Sequence, residues 1–149
     1  MLAAFLALPS FSQNTIGFAS PTFSSTGSLI TSIVSSTPFT GTVKVRFEMS
    51  NTLSPFGIGM PPCYNPVEGY FQGFVGSSYF NYPVDTCYYT YYESVTYSVP
   101  VTSISVNMYY KPPTFPVWGT FYVIAYIIEV PSTHTIGSNN FATMYIDYN

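Results

Sequence analysis

Residues 42–49 alternate without a break: Val43, Val45, Phe47 and Met49 are apolar, while Thr42, Lys44, Arg46 and Glu48 are polar. A period of two sends successive side chains to opposite faces of an extended chain, so this segment specifies a strand with one buried and one wet face. The pattern returns at residues 102–110, where Ile104, Val106 and Met108 alternate with Ser103, Ser105 and Asn107, and again at residues 141–148. Such alternation belongs to antiparallel sheets that face water on one side. No segment competes as a helix, because 13 prolines interrupt runs dominated by β-branched and aromatic residues.

The remaining segments fit the same scheme. Residues 28–34 read as a strand and residues 14–19 as a short one, with Pro21 and Pro38 marking ends. Residues 53–62 form a proline-rich loop, and residues 68–75 a glycine-interrupted strand that is bulged or closely approached by another backbone. Residues 86–97 are aromatic on both faces, with Cys87, Tyr89 and Tyr91 on one and Tyr88 and Tyr92 on the other, and Pro100 breaks the run. After a rigid connection at residues 111–116, residues 117–130 make a long strand whose centre is covered on both sides. The expected fold is an all-β, antiparallel β-sandwich, Ig-like or jelly-roll, of about eight strands. Residues 1–20 form an extended apolar arm ahead of a sandwich domain at residues 21–149.

Charged residues make up 6% of the chain, against about 25% in ordinary domains. Ser and Thr, roughly a quarter of the chain, and 15 Tyr take over the contact with water. With a net charge of −3, repulsion between copies is weak, and phenol-rich surface favours association. The only basic residues, Lys44, Arg46 and Lys111, cannot neutralise the phosphates that nucleic-acid binding requires, so that class of partner is excluded. The composition is that of an extracellular protein. Cys63 and Cys87 frame 23 residues. A disulfide between them would stabilise by about 3 kcal/mol; two buried thiols are the alternative.

Leu2, Ala3, Ala4, Phe5, Leu6, Ala7 and Leu8 form an apolar run that lacks the basic start of a signal peptide. The most apolar stretch, residues 121–128, is far shorter than the ~20 residues of a spanning helix, so no transmembrane helix is expected. No catalytic device, cofactor or metal site is expected either. The lone His134 sits in a polar loop and reads as solvated; the carboxylates are scattered, with Glu68 and Glu93 the pair to examine first; and no metal cluster, phosphate loop or dinucleotide fingerprint exists.

A Tyr-, Ser- and Thr-rich, charge-poor sandwich behind the apolar residues 2–8 resembles archaeal extracellular filament subunits of the thread and bundling-pilus kind. The resemblance implies a homo-polymer assembled outside the cell by donor-strand complementation. Residues 2–8 would be the donor, and Phe121, Val123, Ala125, Ile127, Phe141, Met144 and Ile146 would line the acceptor groove. A viral capsid or virion-surface jelly-roll protein fits the same layout. A secreted glycan-binding module, with the Tyr clusters and Trp118 stacking on sugars, is the reading from a different class.

Overall fold

The computed structural model describes residues 14–25, 27–50, 69–84, 88–112 and 119–148. These form nine strands and no helix: β1 (Thr15–Phe18), β2 (Phe23–Ser24), β3 (Ser28–Ser50), β4 (Gly69–Val75), β5 (Ser78–Val84), β6 (Tyr88–Lys111), β7 (Gly119–Glu129), β8 (Thr135–Ile136) and β9 (Phe141–Tyr148). The fold is an all-β sandwich. Two of its strands, β3 and β6, run 23 and 24 residues and pair antiparallel over most of that length.

Each long strand contributes to both layers. The first half of β3 and the second half of β6 pair from Ser28↔Tyr109 to Val34↔Ser103, and β4, β5, β1 and β8 extend that layer. The second half of β3 and the first half of β6 pair from Gly41↔Tyr97 to Ser50↔Tyr88, and β7, β9 and β2 extend the other. Between the halves the register shifts at Val34/Phe39 and at Phe39/Gly41, and both strands turn from one layer into the other.

That bend explains a departure from expectation. Pro38 and Pro100 do not end strands; they lie inside β3 and β6, in the interval where the regular ladder is interrupted. A residue without an N–H is tolerated there because no ladder bond is lost. Pro83 obeys the same rule on β5, the outermost strand of its layer.

The inward faces follow the alternation read from the sequence. Val43, Val45, Phe47 and Met49 on β3, and Ile104, Val106 and Met108 on β6, are at most 2% exposed. Phe47 packs across the layers on Phe71 and Phe80, with ring centroids 5.1 and 4.9 Å apart. Gly73 confirms the close backbone approach expected of the glycine-interrupted strand: a Cβ there would run into the Asn107 carbonyl. β5 has no counterpart among the expected strands. Its signal was Gly76, whose φ of 58° opens the two-residue turn that pairs Val75 with Ser78.

The main pairings are antiparallel, as expected, and only the short contacts of β1 with β8 and of β2 with β9 run parallel. One further expectation is corrected. The boundary at residue 20 falls inside the sandwich: β1 pairs with β3, and Ile16 and Phe18 are 0% and 2% exposed. Their burial removes apolar surface worth roughly 1.5–3 kcal/mol per side chain, so this part of the arm belongs to its own body. Residues 1–13, and with them the expected donor Leu2, Ala3, Ala4, Phe5, Leu6, Ala7 and Leu8, lie outside the described residues, as do Cys63, Cys87, Glu68 and Trp118.

Candidate functional site

The expected acceptor groove is closed. β7 and β9 are direct neighbours, paired from Gly119↔Tyr148 through Phe121↔Ile146 to Tyr126↔Phe141. Val123, Ala125, Ile127, Met144 and Ile146 are at most 3% exposed and belong to the common core. Phe141 points the other way and is 50% exposed. Val123 and Ala125 alternate with outward neighbours and pack against the opposite layer, so these residues fill a finished core and leave no slot for a foreign strand.

The open backbone lies on the opposite side of the same layer. Residues 88–97 of β6 pair with β3, and among the described residues no strand pairs with their other side. The hydroxyl of Tyr82 on β5 reaches the carbonyl of Tyr92 at 3.3 Å, so Tyr92 turns its backbone polar groups away from β3. Alternation then sends those of Thr90, Ser94 and Thr96 the same way. The contact between Thr42 Oγ1 and Thr96 Oγ1 at 2.8 Å fits this register, because side chains approach most closely at pairs that exchange no backbone bonds.

Side chains rather than a strand link this flank to the other layer. Tyr82 stacks on Tyr91 with centroids 3.8 Å apart and planes within 1°. Tyr91 donates to the Pro83 carbonyl at 2.8 Å. Glu93 accepts from the Tyr82 hydroxyl and, at 3.1 Å, from Ser78. Burial raises the pKa of the Tyr82 phenol, and the hydrogen bond to Glu93, the Glu93 charge and Tyr91 add to the rise. Glu93 is therefore a structural acceptor between the layers.

The outer face of the β6–β3–β7–β9 layer is aromatic. The register sets Tyr92, Arg46, Tyr126 and Phe141 in one row across four strands. Arg46 Cζ lies 4.9 Å from the Tyr126 centroid, Lys44 Nζ 5.2 Å from that of Tyr92, and Tyr126 and Phe141 are 6.2 Å apart. Arg46 Nε sits 2.9 Å from Glu48 Oε1, a contact of charges rather than an aligned hydrogen bond. The next row brings Phe23 beside Thr143, and the one beyond it pairs Tyr122 with Tyr145, centroids 5.1 Å apart. Ile124, on the same face, is only 7% exposed although it lies outside the core cluster. The expectation that the long strand is covered on both sides at its centre holds. The row itself was not read from the sequence, because strand order was not legible and Phe141 was expected on the opposite face, with Met144 and Ile146.

His134 is not solvated. It is 8% exposed, with Nε2 at 3.1 Å from Thr37 Oγ1, Nδ1 at 2.8 Å from Thr133 Oγ1, and its ring against Phe39 at 5.6 Å. Thr37 donates to Asn14 Oδ1 at 2.9 Å, and Asn14 Nδ2 donates to the Thr133 carbonyl at 3.2 Å. This network ties the start of β1 to the bend of β3. Among the described residues no three His, Cys, Asp or Glu side chains gather as metal ligands would, and no helix is long and apolar enough to cross a membrane.

No protein-family model matches the sequence, and no curated protein does. Among solved structures, the apo form of the Calx CBD1 domain is similar at a TM-score of 0.43 and 10% identity, over 90% of this chain and 97% of that one. A two-domain protein of unknown function from Bacteroides fragilis gives 0.44 and 9%; 91% of this chain corresponds to 45% of its length.

Proposed function

We propose that the protein is a structural subunit of an extracellular filament, in which the apolar residues 2–8 of one copy add to the open edge of β6 in the next. The observation that carries this reading is that edge: along residues 92–97, where the Tyr82 hydroxyl reaches the Tyr92 carbonyl, no strand pairs with the side of β6 turned away from β3 among the described residues. An exposed edge is a template for strand addition, in which backbone hydrogen bonds supply affinity and alternate side chains fix register. The run of seven apolar residues from Leu2 to Leu8 is about as long as the edge.

The acceptor is the rim of a completed sandwich rather than a gap in its core, so each subunit folds before it is joined. Donor and acceptor are different surfaces of one chain, and a contact of that kind propagates head to tail into a filament unless it closes into a ring. Three basic and six acidic residues oppose such growth only weakly.

Electron microscopy of the full chain, beside a chain lacking residues 1–13, tests the proposal. The full chain should form filaments, and the shortened one should remain monomeric with an unchanged thermal midpoint. The cut must fall before Asn14, because removing β1 would strip Ile16 and Phe18 from the core. Filaments from the shortened chain, or shells from the full one, would overturn the proposal.

A further inference from the structure

We propose that the outer face of the β6–β3–β7–β9 layer binds an uncharged polysaccharide chain along the row Tyr92, Arg46, Tyr126 and Phe141. This binding is independent of the strand exchange at the β6 edge, which uses backbone groups rather than this face.

Three features of the face select the ligand. The rings stand in a line dictated by strand register, with Tyr92 and Tyr126 on strands either side of β3, about 9.6 Å apart at two interstrand spacings. Rings lined up across a sheet suit an extended polymer, whereas small molecules take concave pockets. Tyr92 and Phe141 are 52% and 50% exposed, so ring surface is available without rearrangement.

The second feature is charge. Lys44 and Arg46 share the face with Glu48 and with Glu129, which stands opposite Lys44 in register. Around the ring row these two cations and two anions cancel, which matches a neutral ligand and disfavours an acidic one. The third is hydrogen bonding: the Arg46 head group and the hydroxyls of Ser94 and Thr143 border the rings along the register. Sugars present apolar C–H faces beside vicinal hydroxyls, and alternating rings with fixed donors and acceptors is the complementary surface.

Native gels containing hydroxyethyl cellulose, xylan, glycol chitin, soluble starch or polygalacturonate supply the test, run on the full chain. Retardation is expected in at least one neutral polymer and should persist in about 0.3 M salt, where exposed charge interactions are screened. Tyr92→Ala and Phe141→Ala, both at exposed positions, should each weaken retardation at least about fivefold. Tyr79→Ala, on the opposite face of the sandwich, should leave it unchanged. No retardation in any neutral polymer, retardation by polygalacturonate alone, or equal loss in Tyr79→Ala would overturn the proposal. Sedimentation without polysaccharide separates the other occupant: if Tyr92→Ala and Phe141→Ala abolish self-association and leave retardation intact, the face belongs to a second copy.

Discussion

His134 and Glu93 are ionisable side chains that the sandwich spends on holding itself together. His134 bridges Thr37 on the bend of β3 to Thr133 in the loop before β8. Replacing it by alanine removes two hydrogen bonds and a ring contact with Phe39. His134→Ala should lower stability by about 1–3 kcal/mol, read as a lower urea midpoint at unchanged slope. Tyr82 provides a pH test. Its pKa in the folded state is raised, first by burial and then by Glu93 and Tyr91. Below about pH 10 the phenol is protonated whether the chain is folded or unfolded, and it adds no pH dependence. Above that pH the unfolded chain ionises first, so stability falls as pH rises. The urea midpoint should drop from about pH 10 upward, and that of Tyr82→Phe, which cannot ionise, should drop less. An equal drop in both would place the alkaline sensitivity elsewhere.

Among the strands, the outer edge of β6 makes the clearest prediction. Ser94 turns its N–H away from β3, so proline there removes no bond of the sandwich and blocks a strand from docking. Ser94→Pro should suppress filament growth, followed by light scattering, while the monomer keeps its far-UV spectrum. Asn107→Pro is the contrasting variant, because that position is paired with Ile30 of β3 on one side and Phe74 of β4 on the other, and its substitution should impair folding itself. Strand identity was largely legible because alternation is local: Val43 to Met49 and Ile104 to Met108 face the core as the pattern demands. Pairing was not, because it depends on residues far apart in sequence. The adjacency of β7 and β9, which closes the expected groove, leaves no mark in either strand alone. Nor does the row linking Tyr92 to Phe141. Pro38 and Pro100 misled for a related reason: a proline marks the loss of a ladder bond, and a bend between layers loses one as surely as a strand end does.

At the scale of the molecule, the two layers share their longest strands. β3 and β6 each leave one layer at the bend and enter the other, so neither sheet can separate without pulling the strands that anchor its partner. Rings from both layers meet at Phe47, Phe71 and Phe80, and the Tyr82–Tyr91 stack with Glu93 joins them again along one flank. A sandwich built from two independent sheets could lose one before the other; this connectivity couples them. Phe71→Ala on β4 should cost about 3–5 kcal/mol and Met144→Ala on β9 about 2–5 kcal/mol. Each is nevertheless expected to shift one common transition. Far-UV circular dichroism, which follows the strands, and near-UV circular dichroism, which follows the packed aromatic rings, should trace superimposable urea curves in both variants. Two separated steps, with Phe71→Ala moving one and Met144→Ala the other, would show that the layers unfold independently despite the strands they share.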